Sequence, residues 1–154
     1  MKPTVNEVSF AELMPIIEDA FSQGLSVTLP ITGNSMRPLF RHKRDSVVLS
    51  ACDPYSLKRG DVPLYQRENG QYVLHRIVRV KPDTYTLVGD AQTELEHSLQ
   101  KDRVCALMTG FIRMGKKTDC RSIRYRLYVT VWMWLRPFRP SVFSLWRRLR
   151  GGRR

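Results

Sequence analysis

The sequence predicts a mainly β fold of the α+β class, in which a coiled antiparallel sheet or barrel follows one N-terminal helix and precedes a basic, aromatic C-terminal tail. After Gly24, short runs rich in Val, Ile, Leu and Tyr alternate with turn residues, which is typical of antiparallel strands. Before Gly24, apolar residues recur at helical spacing instead. With 154 residues, of which 42% are apolar, the chain is long enough to bury a core of its own.

The N-terminal helix is expected over residues 6–23. Its apolar stripe consists of Phe10, Leu13, Ile16, Ile17, Ala20 and Phe21. Ser9 and Glu12 have the spacing of a capping box, and Gly24 is a suitable residue to end the helix. Pro15 is expected either to kink this helix or to move its start.

Six strands are expected after the helix, each bounded by turn residues. They cover residues 25–31, 46–51, 62–66, 71–80, 84–88 and 103–113. The pair Asn69-Gly70 separates two of these runs and indicates a hairpin, because both residues tolerate the positive φ angles of tight turns. The segment around Glu96 has no such pattern, so a solvated loop is one interpretation of it.

The formal net charge of +12 is distributed unevenly along the chain. Residues 1–114 hold 14 Lys/Arg and 13 Asp/Glu, a net of +1, whereas residues 115–154 hold 12 Lys/Arg and one Asp, a net of +11. Composition therefore divides the chain into the N-terminal helix (1–24), a balanced body (25–114) and a basic tail (115–154). Since the excess lies in the tail, the body does not have the composition of a nucleic-acid-binding domain.

Three interpretations of the tail stay open. It contains all three Trp residues and an uninterrupted apolar run over 127–135, which is shorter than the ~20 residues that a helix needs to cross a bilayer. Trp and Tyr mixed with Arg suit the headgroup level of an anionic membrane surface. The same mixture suits single-stranded nucleic acid, and a helix packed on the body is the third option. The apolar content favours the membrane over nucleic acid, with a peripheral position at the cytoplasmic face; a simply cytoplasmic protein is the alternative.

Neither a metal site, a bound cofactor nor a disulfide framework is indicated. Cys52, Cys105 and Cys120 are an odd number, lie far apart and form no Cys-x-x-Cys pair, so a reducing compartment is expected. Residues 1–21 contain four acidic side chains and lack a basic start followed by an apolar core. We therefore expect neither a signal peptide nor an N-terminal membrane anchor there.

Ser35 and His75 are the candidate catalytic pair. Ser35 follows one strand-like run in a turn-like hexapeptide, and His75 lies 40 positions later inside another run. A serine hydroxyl is a poor nucleophile unless a base takes its proton, and histidine is the commonest base near neutral pH. Taken alone, Ser35 is better explained as a turn residue and His75 as a structural histidine. The motifs that surround them favour a catalytic role.

Four ordered motifs resemble the conserved boxes of signal peptidase I-type serine proteases. They are Ser35-Met36-x-Pro38, Lys58-Arg59-Gly60-Asp61-Val62, His75-Arg76-Ile77 and Gly89-Asp90. The histidine is similar to that of the endoplasmic-reticulum and archaeal branch, which uses Ser-His where the usual bacterial enzyme uses Ser-Lys. Gly-x-Ser-Met also resembles the self-cleaving LexA-type repressors of the same fold, but their Lys base and DNA-binding domain are not expected here.

The resemblance covers residues 25–113 and implies a serine endopeptidase, a hydrolase that cleaves leader or signal segments of peptide or protein substrates. It implies that Ser35 is the nucleophile and His75 the general base. It also implies that Met36 packs behind the nucleophile and that the turn at 59–61 is structural.

A third catalytic member of this family is an acid a few residues beyond the Gly-Asp pair. Glu96, six positions after Asp90, is the candidate that would orient His75, because glutamate can replace aspartate in this role. Asp90 itself competes for the role, and Glu94 is a weaker option. His42 and His97 are interpreted as surface residues, with His97 as a fallback base.

Two departures from the family shape the functional hypothesis. Gly33 replaces a serine whose hydroxyl often assists the oxyanion hole, and loss of one such donor can cost ~3 kcal/mol. The expected absence of an N-terminal anchor favours a specialised maturation protease at the cytoplasmic face over housekeeping signal cleavage. The alternative is a catalytically inactive binding module of the same fold, whose tail binds anionic lipid or nucleic acid.

Overall fold

The computed structural model describes residues 10–141, so residues 6–9 of the expected helix, with Ser9 of the capping box, lie outside the described part. The elements, in chain order, are α1 Phe10–Ser22, β1 Val27–Pro30, β2 Ser46–Ser50, β3 Pro63–Gln66, β4 Tyr72–Leu74, β5 Arg76–Val80, β6 Thr84–Val88, β7 Glu96–Gln100, β8 Val104–Arg113, β9 Lys116–Asp119 and α2 Ile123–Leu135, with 3-10 turns at Lys101–Arg103 and Arg136–Phe138. This is a mainly β, antiparallel α+β fold with an N-terminal helix, as predicted.

The described strands form two antiparallel sheets. The larger sheet has the order β1-β2-β8-β3-β4 and curls into a half-barrel. Strand β9 pairs with the end of β8 beyond the stretch that pairs with β3. The smaller sheet has the order β5-β6-β7. Strands β1 and β4 are therefore the two edges of the half-barrel.

The core fills the inside of the half-barrel. Met36 is 3% exposed and Phe40 1% exposed, and the Phe40 ring contacts the Phe111 ring edge-on at 5.3 Å between centroids. Burial of Met36 agrees with a packing role behind Ser35. Strand β8 alternates buried and partly buried residues along most of its length, as a strand does when one face covers a core. A second cluster around Tyr65 and Leu87 joins the two sheets.

The strand expected over residues 71–80 is in fact two strands in different sheets. Leu74 pairs with β3 in the half-barrel, whereas Ile77 pairs with β6 in the smaller sheet. The chain leaves one sheet and enters the other at His75, which belongs to neither strand. The apolar pattern continues across this point because both sheets bury their faces, so the sequence did not reveal the break.

Two strands were missed by the sequence prediction, β7 and β9. Their residues are mostly polar and exposed, so they lack the apolar alternation that identifies a strand. Pairing of their backbones with β6 and β8 stabilises both of them. The loop interpretation of Glu96 is therefore wrong, because Glu96 is the first residue of β7.

Helix α1 ends as predicted but faces the core differently. Gly24 has φ +72° and donates its N–H to the Phe21 carbonyl at 3.0 Å, which is a common helix ending. Met14 and Ile17 are buried, whereas Ile16 is 69% exposed, so the expected inward position of Ile16 is wrong. Pro15 lies within the helix and does not begin it.

The first part of the basic tail packs on the body. Strand β9 forms a hairpin with β8, and α2 buries Tyr125 in the core beside Phe111. The Ser122 hydroxyl accepts the Tyr125 N–H at the start of this helix. The compositional boundary after residue 114 therefore does not coincide with a structural one. Within residues 10–141, no helix combines the length and the apolar character needed to cross a membrane.

Candidate active site

Ser35 and His75 line one cleft of about 550 Å³ at the open side of the half-barrel. Edge strand β1 and the residues after it form one wall, and edge strand β4 forms the other. The Phe10 ring of α1 contacts the Tyr72 ring of β4 at 5.0 Å between centroids and also lines the cleft. The curl of one sheet thus brings two residues 40 positions apart to the same cavity.

Backbone contacts hold the turn that carries Ser35. The Ala91 N–H donates to the Ser35 carbonyl at 2.8 Å. Gly33 has φ +85°, which favours glycine, and its N–H donates to His42 Nδ1 at 2.8 Å. A Cβ at Gly89 would lie 2.6 Å from the Ser35 carbonyl oxygen, so the two segments approach as closely as a glycine allows. His42 is exposed, as expected, but it also supports this turn.

His75 is held through one ring nitrogen. It is 2% exposed, and its Nδ1 lies 3.3 Å from Glu96 Oε1 and 3.2 Å from the Tyr65 hydroxyl. The Tyr65 hydroxyl donates its only proton in a hydrogen bond to Glu96 Oε2 at 2.8 Å, so towards His75 it can only accept a hydrogen bond. This network assigns the proton of the neutral ring to Nδ1 and leaves the lone pair on Nε2.

The charge of Glu96 is set by opposing effects. Burial favours the neutral carboxyl, but the hydrogen bonds from Arg67 and Tyr65 outweigh it and lower the pKa of Glu96. Arg67 binds both carboxylate oxygens, with Nε 3.2 Å from Oε2 and a second contact from its terminal nitrogen to Oε1. Glu96 is therefore an ionised group at neutral pH, fixed in orientation beside His75.

The pKa of His75 is lowered by burial, and the charge of Glu96 only partly offsets this effect. The ring is therefore neutral at neutral pH, which is the form that a general base requires. Within the described residues, no hydrogen bond joins the Ser35 hydroxyl to His75. Such bonds are often long in an unliganded enzyme and tighten when substrate binds.

Hydrogen-bond donors for an oxyanion are available near Ser35. The backbone N–H of Ser35 is used in no hydrogen bond within residues 10–141, and the amide side chains of Asn34 and Gln92 line the same cleft. These amides were not identified from the sequence. They supply donors at a site where Gly33 has no side chain.

Asp90 is bound to a different partner. It accepts two hydrogen bonds from Arg76, at 2.8 and 2.7 Å, and one from the Tyr128 hydroxyl at 3.2 Å. The Arg76 and Asp90 side chains are each 1% exposed. The structure thus brings Glu96, and not Asp90, to His75 Nδ1. Glu94 and His97 are exposed and contact neither Ser35 nor His75 among the described residues.

Tyr65 and Arg67 are the site residues that sequence analysis missed. Tyr65 lies in β3 and Arg67 directly follows it, two positions later, which is the spacing that puts side chains on the same face of an extended chain. Their partner is Glu96 on β7, 31 and 29 positions away. Only the packing of the two sheets brings these residues together, so no local pattern predicts the contact.

Comparison with protein-family models finds no matching family, and comparison with curated proteins finds no similar protein. The function is therefore inferred from the geometry around Ser35 and His75 and from the motifs that contain them.

Proposed function

We propose that this protein is a serine endopeptidase of the signal peptidase type, which cleaves leader or signal segments of peptide or protein substrates at or near a membrane. One observation carries the proposal: Ser35 and a buried, neutral His75 line one cleft, while His75 Nδ1 meets Glu96 and Tyr65. A turn serine and a structural histidine would have no reason to meet in one cleft with an ionised, oriented carboxylate at the second ring nitrogen of that histidine.

The arrangement supports acyl transfer in two steps. Ser35 Oγ attacks the scissile carbonyl carbon while His75 Nε2 takes the hydroxyl proton, and the oxyanion is stabilised by the Ser35 N–H. His75 then gives this proton to the leaving amine as the C–N bond breaks, which leaves an ester on Ser35. Water then attacks the ester carbonyl carbon while His75 Nε2 takes a proton from it, and His75 returns this proton to Ser35 Oγ as the ester C–O bond breaks. Glu96 stabilises the transient imidazolium through Nδ1.

The substrate would bind as an extended strand. The cleft lies between β1 and β4, and each of these edge strands has one side without a strand partner within the described chain. A peptide placed there would pair with exposed backbone groups, which is a common way to recognise extended peptides. Leu29, Ile31 and Leu74 line this space, so we expect small or apolar side chains near the cleaved bond.

The decisive experiment compares wild type, Ser35→Ala and Ser56→Ala on a candidate leader peptide. Ser56 lies in an exposed turn away from the cleft and controls for loss of a hydroxyl. We expect cleavage and labelling by a serine-directed acylating probe to disappear only in Ser35→Ala. If Ser35→Ala cleaves as fast as wild type, or if wild type never reacts with the probe, the protease proposal fails and the inactive binding module remains.

We also propose that the protein lies peripherally on an anionic membrane surface at the cytoplasmic face, with α2 in contact with lipid. Besides Leu135, which is only 37% exposed, the exposed apolar side chains there are Ile123, Leu127, Val131, Trp134 and Phe138. They recur at three- and four-residue spacing and so form one stripe along the helix and the turn after it. Exposed Arg124 and Arg126 add positive charge beside this stripe, which suits anionic headgroups.

A further inference from the structure

We propose that a second site, separate from the Ser35 cleft, binds an oxyanion of the phosphate class between Arg136 and Arg139. A pocket of about 140 Å³ lies between the 3-10 turn Arg136–Phe138 and the segment that connects β6 to β7. Its lining comprises Val88, Gln92, Thr93, Leu95, Arg136, Pro137, Arg139 and Pro140. The donors on the two arginines, the surrounding charge and their rigidity each support this assignment.

Two guanidinium donors at this pocket are buried without a partner. Arg139 is 4% exposed; it donates to the Asp90 carbonyl at 3.2 Å and to the Trp132 carbonyl at 3.1 Å, while its Nε has no acceptor in the described chain. One terminal nitrogen of Arg136 is likewise buried and without an acceptor there. A buried donor without an acceptor is costly, so such groups normally have a bound partner.

The charges around the pocket favour an anion. Burial lowers the pKa of Arg136, and the nearby guanidinium groups of Arg59 and Arg79 lower it further. Burial also lowers the pKa of Arg139, with Arg136 adding to the effect. Arg59 and Arg79 thus repel Arg136, while Arg136 and Arg76 repel Arg139, and a bound anion would relieve this repulsion.

The nearest carboxylate does not neutralise this charge. Asp90 raises the pKa of Arg139, but both of its carboxylate oxygens are already bonded to Arg76. An external anion would supply acceptors to the guanidinium donors that the described residues leave without one.

The phosphate class fits because the donors are rigid and forked. The Arg139 guanidinium lies 4.0 Å from the centre of the Trp132 ring, which fixes its plane. Pro137 and Pro140 restrict the backbone on either side of it. Guanidinium groups bind tetrahedral oxyanions through paired N–H donors with defined geometry. Free phosphate and the phosphate of a lipid headgroup share this chemistry.

The test uses the full-length chain and inorganic phosphate, titrated calorimetrically at constant ionic strength. We expect Arg136→Gln to raise the Kd for phosphate about tenfold or more, because it removes a charged donor. The matched control is Arg103→Gln, which removes the same charge from an exposed position in the 3-10 turn Lys101–Arg103, outside the lining of the pocket, and should change Kd less than about twofold. Phosphate should raise Tm in wild type and in Arg103→Gln, but not in Arg136→Gln.

A second variant tests the site by adding a negative charge beside the arginines instead of removing a positive one. Thr93 is exposed at the rim of the pocket, so Thr93→Glu should fold normally and supply a carboxylate to the unpartnered donors. We expect it to raise Tm in the absence of phosphate and to abolish the further rise on phosphate addition. This result would support the site even if Arg136→Gln were poorly folded.

Vesicles distinguish the two sources of the oxyanion. Phosphatidylcholine vesicles with and without phosphatidic acid are tested against wild type, Arg136→Gln and Arg103→Gln. Selective loss of vesicle binding in Arg136→Gln identifies a lipid headgroup, and selective loss of binding to soluble phosphate alone identifies a free phosphate; both support the site. The proposal is overturned if Arg136→Gln and Arg103→Gln weaken both interactions equally, or if wild type binds neither form.

Discussion

His75 occupies a position where its chemistry is determined by three neighbours. Tyr65 and Glu96 engage Nδ1, and Arg67 keeps Glu96 ionised. The Tyr65 hydroxyl links the two groups, since it donates a hydrogen bond to the Glu96 carboxylate and can therefore only accept one from His75. The result is a neutral base with one defined tautomer, which a Ser-His pair needs and which the sequence motifs alone do not specify.

The pH dependence of cleavage tests this electrostatic arrangement. Because burial lowers the pKa of His75 below its usual 6.5, we expect the acid limb of kcat/KM to have its midpoint below pH 6.5. Glu96→Gln removes the charge that raises the pKa of His75, so the midpoint should fall further and kcat/KM should drop by about two orders of magnitude.

Glu94→Gln is the matched control for this measurement, since it removes an exposed carboxylate two residues away. It should leave both the midpoint and the rate close to wild type. An acid limb that stays in place or moves to higher pH in Glu96→Gln would contradict the role of Glu96.

The substitution Gly89→Ala tests how closely the turn that carries Ser35 must be held in place. A Cβ at this position would meet the Ser35 carbonyl oxygen at 2.6 Å, so Gly89→Ala must displace the turn. We expect kcat/KM to fall about tenfold to a hundredfold, because small shifts of a reacting group are costly.

The control is Gly110→Ala on β8, a residue that does not line the cleft. A Cβ at this position would lie 3.0 Å from the Thr118 carbonyl oxygen and would crowd it. This variant should lose stability while the folded protein keeps its specific activity. Equal activity losses in Gly89→Ala and Gly110→Ala would argue against a specific effect on Ser35.

Among the elements, α2 is joined to the body by a buried polar network. Arg76 of β5 bonds Asp90, the Gly60 carbonyl and the Tyr125 hydroxyl, and Tyr128 also bonds Asp90. This network gives Asp90 of the Gly-Asp pair a structural role, because it connects α2 to the segment after β6. The next residue of that segment, Ala91, donates its N–H to the Ser35 carbonyl. The helix that follows the compositional boundary is thus joined to the body that contains the candidate site.

Asp90→Asn should destabilise the fold without abolishing the chemistry. It leaves the Arg76 charge buried and unpaired, and breaking a buried pair from one side typically costs about 3–5 kcal/mol of unfolding free energy. Urea denaturation measures this loss, with the exposed Asp83→Asn as the control that should change little. Loss of activity in fully folded Asp90→Asn, comparable to that in Glu96→Gln, would contradict this division of roles.

At the scale of the whole molecule, membrane association depends on which surface is exposed. Deletion of residues 115–154 would remove Tyr125 from the core, so it would test folding as much as binding. Substitutions of exposed residues test membrane binding without removing a side chain from the core. Leu127→Ser combined with Trp134→Ser removes two side chains that are 62% and 70% exposed, and should reduce flotation with anionic liposomes about tenfold or more.

The control for flotation is Ile16→Ser combined with Tyr55→Ser, which removes two exposed apolar side chains elsewhere, at 69% and 59% exposure. These substitutions should leave flotation unchanged. If both pairs of substitutions have the same effect, α2 is not the lipid-facing surface.

Much of the architecture was predictable from local patterns. Residues 84–88 include Val, Leu and Tyr and are bounded by turn residues, and β6 has the predicted limits. Asn69-Gly70 lies in the hairpin between β3 and β4, where Gly70 has φ +84°. Strand β7 could not be predicted in this way, because its backbone pairing with β6 holds it in place and its side chains are mostly polar.

The sequence by itself determined the α+β class and most strands, and it predicts Ser35 and His75 as nucleophile and base, because periodicity, turn chemistry and motif spacing are local properties. Tertiary structure alone decided which carboxylate reaches His75. Asp90 and Glu96 differ little as sequence signals, but the fold pairs one with Arg76 in the core and the other with Arg67 beside the histidine. It also decided that α2 belongs to the core and that Arg136 and Arg139 share a pocket, since side chains distant in sequence meet only when the sheets and helices pack.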